Sequence, residues 1–266
     1  MITSLQNPLV KQIRKLHSSK GRREQNLFLL EGTHLLETAC ESDCSLVTVC
    51  YTQHWQASHP QWWEIAHKQA QRLEMVSEEV LSAIATTVHP DGVVATALRI
   101  IDTPLKIPRL DLGIVLERLQ DPGNLGTIIR TAVAAGTDGL WLSDDSVELD
   151  NPKVLRSSAG AWFRLPIAVS SNLIKVVENY RSQGLQIVAT LPKANKLYWD
   201  IDFTRPTLIL LGNEGAGLSE QLTSLSNLQV KIPLNAGVES LNVAIASALL
   251  LYEARRQRLS KNNECR

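Results

Sequence analysis

The chain has 266 residues, 44% of them hydrophobic, and its 27 Lys and Arg residues balance its 27 Asp and Glu residues. This length and composition are typical of a globular protein of two domains, and the zero net charge neither requires nor excludes an anionic partner. No apolar run approaches the roughly 20 residues of a membrane helix, and the first 25 residues lack the apolar core of a secretory signal. We therefore expect a cytoplasmic protein without a membrane partner.

The N-terminal residues 1–23 are basic and contain no acidic residue. The cations are Lys11, Arg14, Lys15, Lys20, Arg22 and Arg23. Leu5, Leu9, Ile13 and Leu16 recur at helical spacing, which predicts an amphipathic helix over residues 8–17 with Asn7 as its cap. A solvated helix face and a contact with a phosphate backbone both fit this pattern.

A small α/β domain is expected next, with strands near residues 26–32, 46–52 and 91–100 and helices near 31–42 and 61–72. Trp62 and Trp63 are interpreted as packing residues. Cys40, Cys44, Cys50 and Cys265 match no zinc spacing, so we expect buried or half-buried thiols and no metal. Two prolines in "RIIDTPLKIPRLDLG" indicate a connector, which places the domains at residues 1–105 and 106–266.

The second domain repeats the order strand, glycine-containing turn, helix. Strands are predicted over 112–119, 139–144, 185–191, 206–212 and 230–234, and helices over 120–136 and 240–257, with a helix and a short strand in 151–169. Nearly continuous apolar strands that alternate with helices predict a parallel sheet covered on both faces. Ligands of such sheets bind beyond the carboxyl ends of the strands.

The loop "GNEGAGLS" at residues 212–219 follows one of these strands. It is not a phosphate loop, because Leu218 stands where the lysine should be and Glu214 would repel a triphosphate. Its glycines are in the wrong order for a dinucleotide fingerprint, and no such fingerprint follows the first strand. A tight turn that needs glycine and a loop that closes on a small ligand both remain open.

Three segments share the character of a strand end followed by polar residues and a helix. They are "ERLQDPGNLGTIIRTAVAAG", "LILLGNEGAGLS" and "IPLNAGVESLNVAIASALLLYE". Together they resemble the signature motifs of the SpoU (TrmH-like) family of RNA 2′-O-methyltransferases in the SPOUT superfamily, over residues 110–258. The segment "SLQNPLVKQIRKLHSSKGRREQNLFLLEGTHLLETA" is similar to the start of the substrate-binding domain of ribosomal RNA-modifying members, which has the fold of ribosomal protein L30e.

The resemblance implies a parallel α/β domain with a deep C-terminal trefoil knot, S-adenosylmethionine as cofactor and S-adenosylhomocysteine as product. It also implies a homodimer with RNA as its partner. The extra N-terminal domain favours 23S ribosomal RNA as the substrate. A transfer RNA methyltransferase and a non-catalytic RNA-binding protein of the same fold remain as alternatives.

The resemblance also assigns site residues by position. The catalytic set is Arg130, Asn124, Glu214, Ser240 and Asn242. The cofactor set is Thr190, Leu191, Gly212, Asn213, Gly217, Ile232, Leu234 and Leu241. Because an arginine stays protonated, we expect Arg130 to orient the substrate and stabilise the alkoxide rather than act as a base. Ala236 stands where the family often has glycine, which leaves the conformation of residues 235–238 open.

Overall fold

The computed structural model describes residues 1–42, 44–99, 107 and 109–264. These residues form two compact units, residues 1–100 with 148–163 and residues 101–147 with 164–266. The predicted domain boundary after residue 105 lies outside the described residues. Each unit has its own sheet and its own core.

Within its described residues, the first unit contains a four-stranded sheet in the order β1-β4-β2-β3. The strands are β1 (Leu27–Glu31), β2 (Leu46–Tyr51), β3 (Arg72–Met75) and β4 (Val93–Leu98). β4 is antiparallel to both β1 and β2, whereas β2 and β3 are parallel. The three strands predicted from sequence are therefore confirmed, and β3 was missed because only four residues form it.

The helices of the first unit cover both faces of this sheet. They are α1 (Pro8–Lys15), α2 (Ser19–Gln25), α3 (Thr33–Glu41), α4 (Gln53–Ser58), α5 (Pro60–Gln69), α6 (Glu78–Ile84) and α8 (Pro152–Ser158). α1 begins as predicted, because the Asn7 side chain accepts a hydrogen bond from the Leu9 amide. Trp62 and Trp63 pack against the core, as the sequence predicts.

The thiols of the first unit are free, and Cys40 and Cys50 are buried while Cys44 is half-buried. Burial raises the pKa of the Cys50 thiol to about 12. The prediction of buried or half-buried thiols is confirmed for these three. Cys265 lies outside the described residues.

One cation of the basic N-terminal stretch is a core residue. Arg22 is only 2% exposed and forms ion pairs with Glu148 and Asp150. Arg23 also pairs with Glu148, while Asp150 accepts a hydrogen bond of 2.5 Å from Arg99. Arg22 therefore holds the first unit together and is not part of the exposed basic surface.

The second unit contains, in its described residues, a parallel sheet of seven strands in the order β7-β6-β5-β10-β8-β11-β9. The strands are β5 (Leu112–Leu116), β6 (Gly139–Ser143), β7 (Ile167–Ser170), β8 (Gln186–Thr190), β9 (Lys196–Leu197), β10 (Thr207–Leu211) and β11 (Leu228–Lys231). β5, β6 and β10 are buried at every position, which explains their nearly continuous apolar sequences. The predicted parallel α/β sheet is confirmed.

Helices flank this sheet. They are α7 (Pro122–Ala135), α9 (Leu173–Ser182), α10 (Glu220–Ser224) and α11 (Val243–Glu264). α7 begins where the Asp121 side chain accepts from the Asn124 amide, and it ends at Gly136, whose φ is +79°. None of the helices in the described part of the chain is long and apolar enough to cross a membrane.

Two predicted boundaries were wrong, and both differences shape the site. β11 ends at Lys231 rather than residue 234, since Pro233 has no N–H to donate to a ladder. α11 begins at Val243 rather than residue 240. Residues 232–242 consequently form an irregular segment beyond the carboxyl edge of the sheet.

Candidate active site

The glycine loop after β10 folds back on itself. The Asn213 and Gly217 backbones exchange two hydrogen bonds of 3.1 and 2.9 Å, and the Asn213 side-chain oxygen accepts from the amides of Gly215 and Ala216. A Cβ on Gly212 would lie 2.1 Å from the Gly217 carbonyl carbon, and Gly217 itself has a φ of +69°. The loop therefore needs glycine at both positions.

A cavity of about 320 Å³ lies beside this loop, between the carboxyl ends of β8 and β10 and the irregular segment 232–242. Its walls include all eight residues of the predicted cofactor set, Thr190, Leu191, Gly212, Asn213, Gly217, Ile232, Leu234 and Leu241. Its size falls within the range of small-molecule pockets. Three distant parts of the sequence thus meet at one concave site.

Three polar side chains from the three motifs form a hydrogen-bonded chain at this site. The Asn124 side-chain amide donates to the Glu214 carboxylate at 3.1 Å, and the Asn242 amide donates to the Asn124 oxygen at 2.9 Å. Glu214 also accepts from the backbone amides of Gln120 and Asp121 at 3.5 and 3.4 Å. Its negative charge therefore lies at the N-terminus of α7, which favours an anion.

Asn242 has a second role in the fold. Its side-chain oxygen accepts from the amides of Ala244 and Ile245, so it caps α11 while its NH₂ group reaches Asn124. The Asn242 side chain is therefore fixed at both ends. Ser240 lines the cavity just before this cap.

Arg130 lies apart from the hydrogen-bonded chain. It is six residues beyond Asn124 on α7, which corresponds to about 9 Å along the helix axis. Its side chain is exposed and makes no hydrogen bond or ion pair with another described residue. A guanidinium in this state is available to an anionic substrate.

The cavity suits the methyl donor that the resemblance implies. The Thr190 hydroxyl at the end of β8 is buried and has no hydrogen-bond partner among the described residues, so it can bond a polar group of a ligand. Glu214 and Glu239 bring carboxylates to the cavity wall, and these complement a sulfonium and an ammonium group. Leu191, Ile232 and Leu234 supply apolar surface for an adenine ring.

Sequence reasoning missed Glu239, although it directly precedes the polar motif residues and could have been found from that position. In the described part of the chain, no group of three or more His, Cys, Asp and Glu side chains could hold a metal ion.

Known proteins share both units of this chain. Residues 111–252 match the sequence profile of the SpoU rRNA Methylase family, and residues 7–95 match the MRM3-like substrate binding domain. An uncharacterized tRNA/rRNA methyltransferase of Synechocystis sp. is 51% identical over 256 residues, which are 96% of this chain and 93% of that protein.

Two further relatives have more specific descriptions. The 23S rRNA (guanosine(2553)-2'-O)-methyltransferase RlmP of Bacillus subtilis is 35% identical over 96% of this chain and 98% of its own length. The crystal structure of an AdoMet-bound rRNA methyltransferase from Sinorhizobium meliloti superposes with a TM-score of 0.86 at 35% identity, covering 96% of this chain and 97% of that one. The likeness therefore extends over both units.

Proposed function

Since the chain belongs to the SpoU rRNA methylase family, and is thus an S-adenosylmethionine-dependent RNA 2′-O-methyltransferase, we propose that its substrate is 23S ribosomal RNA. The N-terminal match to a substrate-binding domain and the full-length likeness to ribosomal RNA methyltransferases support this choice over transfer RNA. A ribosomal RNA substrate in turn supports a cytoplasmic location.

One observation carries the proposed chemistry. The hydrogen-bonded chain Asn124–Glu214–Asn242 lies beside the cavity whose walls hold every predicted cofactor residue. The convergence of residues from three motifs at one cavity supports methyl transfer over a non-catalytic RNA-binding protein.

The site residues take separate roles in this proposal. S-adenosylmethionine supplies an electrophilic methyl group when it is bound. A ribose hydroxyl must pass its proton to solvent as its oxygen bonds to the methyl carbon and the carbon–sulfur bond breaks, so a charge develops on that oxygen. Arg130, which is exposed and permanently cationic, orients the ribose and its phosphate and stabilises the developing alkoxide. Asn124 and Asn242 hold Glu214 in place, and Ser240 positions the hydroxyl at the cavity rim.

A homodimer is part of the proposal, and α11 supplies the support. Ile245, Leu249 and Tyr252 recur at helical spacing on α11 and are 52%, 36% and 51% exposed. Such an apolar stripe on a well-packed helix is typical of an interface. α11 packs on α7, so a second copy seated there would lie close to Arg130.

The trefoil knot is likewise a proposal. The loop after β10 and the segment after β11 close around one cavity, while β8 lies between β10 and β11 in the sheet. This arrangement is consistent with the knot that the family resemblance implies.

RNA recognition is assigned to the exposed part of the basic N-terminal stretch. Lys11, Arg14, Lys15 and Lys20 are exposed on α1 and α2, whereas Arg22 is buried. Contacts of these cations with phosphates would give affinity that falls with salt.

The test is methyl transfer from labelled S-adenosylmethionine to purified 23S ribosomal RNA and, separately, to transfer RNA. Wild type is expected to label 23S ribosomal RNA alone, and Arg130→Ala is expected to lose label while its affinity for S-adenosylhomocysteine stays within about twofold. Label found only in transfer RNA would show that transfer RNA, and not 23S ribosomal RNA, is the substrate. Full activity of Arg130→Ala would refute the role of this residue.

A further inference from the structure

A second cavity of about 350 Å³ opens at the carboxyl ends of β5, β6 and β7 in the second unit. Because the strands are parallel, it lies at the same edge of the sheet as the cavity beside the glycine loop, which we call the cofactor cavity. None of the residues in the predicted catalytic or cofactor sets lines it. This second cavity is therefore separate from the predicted cofactor and catalytic residues.

Hydrogen bonds made by residues 117–118 connect the walls of the two cavities. The Arg118 carbonyl accepts from the Asn213 side chain of the glycine loop at 2.7 Å, and the Glu117 carboxylate accepts from the Ser219 amide at the end of that loop at 2.7 Å. Glu117, Arg118 and Ser219 all line the second cavity. A group bound there would touch the same loop that lines the cofactor cavity.

Arg118 is held in a costly conformation at this junction. Its φ is +55°, a left-handed value that residues other than glycine rarely adopt, and its amide donates to Ser143 Oγ at 2.7 Å. Its Nε is buried without a hydrogen-bond partner among the described residues. Backbone strain and an orphan donor at a cavity wall are both typical of a ligand clamp.

The side chains of the wall indicate which class of ligand the second cavity binds. Leu173 and Leu222 are buried and form an apolar floor, which suits a flat ring. Among the described residues of the wall, the carboxylates of Glu117, Asp144 and Asp145 face a single guanidinium, that of Arg118. A phosphate would be repelled by this surplus of negative charge, whereas a ring edge rich in N–H donors would be bound.

We propose that the second cavity receives a guanine base of the RNA substrate, at or next to the methylated nucleotide; this inference rests on the proposed function. Guanine presents two N–H donors side by side on its Watson–Crick edge, which match an aspartate carboxylate. Its O6 and N7 atoms accept from an arginine, the pairing by which Arg reads guanine. Unpaired bases of RNA are read through these edges.

The carboxylates available for this contact are Asp144 and Asp145. Both follow β6 in an exposed turn, and neither carboxylate pairs with another described residue. Glu117 is already engaged by the Ser219 amide and by the Arg118 guanidinium, whose Nη2 lies 3.9 Å from its carboxylate. Replacement of both aspartates by asparagine keeps their shape but replaces two acceptor oxygens by donors.

The experiment is a titration of the full chain, saturated with S-adenosylhomocysteine, with guanosine, followed by backbone amide signals in NMR spectra. Guanosine should shift the signals of Asp145 and Ser171, inosine should bind at least threefold more weakly because it lacks the 2-amino group, and uridine should shift neither signal. Asp144→Asn/Asp145→Asn should weaken guanosine binding at least tenfold. Asp200→Asn, an exposed carboxylate outside the second cavity, should bind guanosine like wild type.

Three results would overturn the inference: no shift with guanosine, equal binding of inosine or uridine, or undiminished binding to the double variant. Failure of the proposed function would be seen separately in the methyl-transfer assay, where 23S ribosomal RNA would stay unlabelled. Failure to bind the cofactor would be seen as S-adenosylhomocysteine leaving the signals of residues 212–217 unshifted. In that case the same titration of the cofactor-free chain still decides whether guanosine enters the second cavity.

Discussion

Gly212 occupies a position with no room for a side chain, because a Cβ there would lie 2.1 Å from the Gly217 carbonyl carbon. Gly212→Ala should therefore open the glycine loop and weaken S-adenosylmethionine binding at least tenfold, measured by isothermal titration calorimetry. Gly215→Ala is the matched control in the same loop, since a Cβ there would meet only Asn213 Oδ1 at 3.6 Å. Wild-type affinity of Gly212→Ala would show that the loop does not bind the cofactor.

The two roles of Asn242 can be separated by a substitution that exchanges its side-chain NH₂ group for an oxygen. Asn242→Asp keeps the oxygen that caps α11 but removes the NH₂ group that donates to Asn124. We expect methyl transfer to fall at least tenfold while the thermal midpoint stays close to that of wild type. Asn242→Ala loses both roles and should also cost about 1 kcal/mol of stability, as loss of a cap does. A wild-type rate for Asn242→Asp would mean that the hydrogen bond to Asn124 is dispensable.

Among individual residues, the eight assigned to the cofactor from the sequence line one cavity, because their motifs follow strand ends that meet at one edge of the parallel sheet. Their role in binding stays a prediction. Arg118 could not be found in this way. It belongs to no glycine-rich pattern, and its left-handed backbone follows from hydrogen bonds to Ser143 and Asn213, which are distant in sequence. Side-chain contacts of this kind have no local sequence signal.

At the scale of single elements, the apolar stripe of α11 carries the prediction of a dimer. Tyr252→Asp places a charge in the stripe, so it should give a monomer in analytical ultracentrifugation and lose most methyl transfer. Tyr252→Phe keeps the apolar ring and should remain a dimer with full activity. A dimer that persists in Tyr252→Asp would place the interface elsewhere.

Elements with a buried apolar face were predicted well and polar ones poorly, for a physical reason. β5 and β10 are buried at every position and α7 buries one apolar face, so their sequences show a clear hydrophobic pattern. α2, with the sequence "SKGRREQ", has no apolar side chain and therefore no periodicity to read. It forms where Ser18 caps its start and its Arg22 is buried by a partner far along the chain.

At the scale of the whole molecule, the first unit depends on a buried charge cluster that joins Arg22 to residues about 126 positions later in the chain. Burial opposes ionisation of Glu148, but hydrogen bonds from Ser19 and Arg23 and the charges of Arg22 and Arg23 outweigh it and lower the pKa of this carboxyl below 4.5. No local pattern in the sequence predicts such a pairing.

A lowered carboxyl pKa gives a definite pH dependence. The ionised Glu148 carboxylate contributes fully to stability above its pKa in the unfolded chain, which is about 4.5. This contribution is lost as the pH falls through the lower pKa of Glu148 in the folded protein. Glu148→Gln should therefore lower the free energy of unfolding by about 2–3 kcal/mol near neutral pH, since it leaves Arg22 partly unpaired. Chemical denaturation should show this difference shrinking below pH 4.5. A difference that stays constant down to the acid transition would contradict the assignment.

The central claim is that the methyl group goes to a ribose 2′-oxygen of 23S ribosomal RNA. The most direct measurement is alkaline hydrolysis of 23S ribosomal RNA that the enzyme has labelled from S-adenosylmethionine. A 2′-O-methyl group removes the hydroxyl that alkali needs for cleavage, so the label should appear in alkali-resistant dinucleotides. Label released entirely in mononucleotides would place the methyl group on a base and contradict the claim.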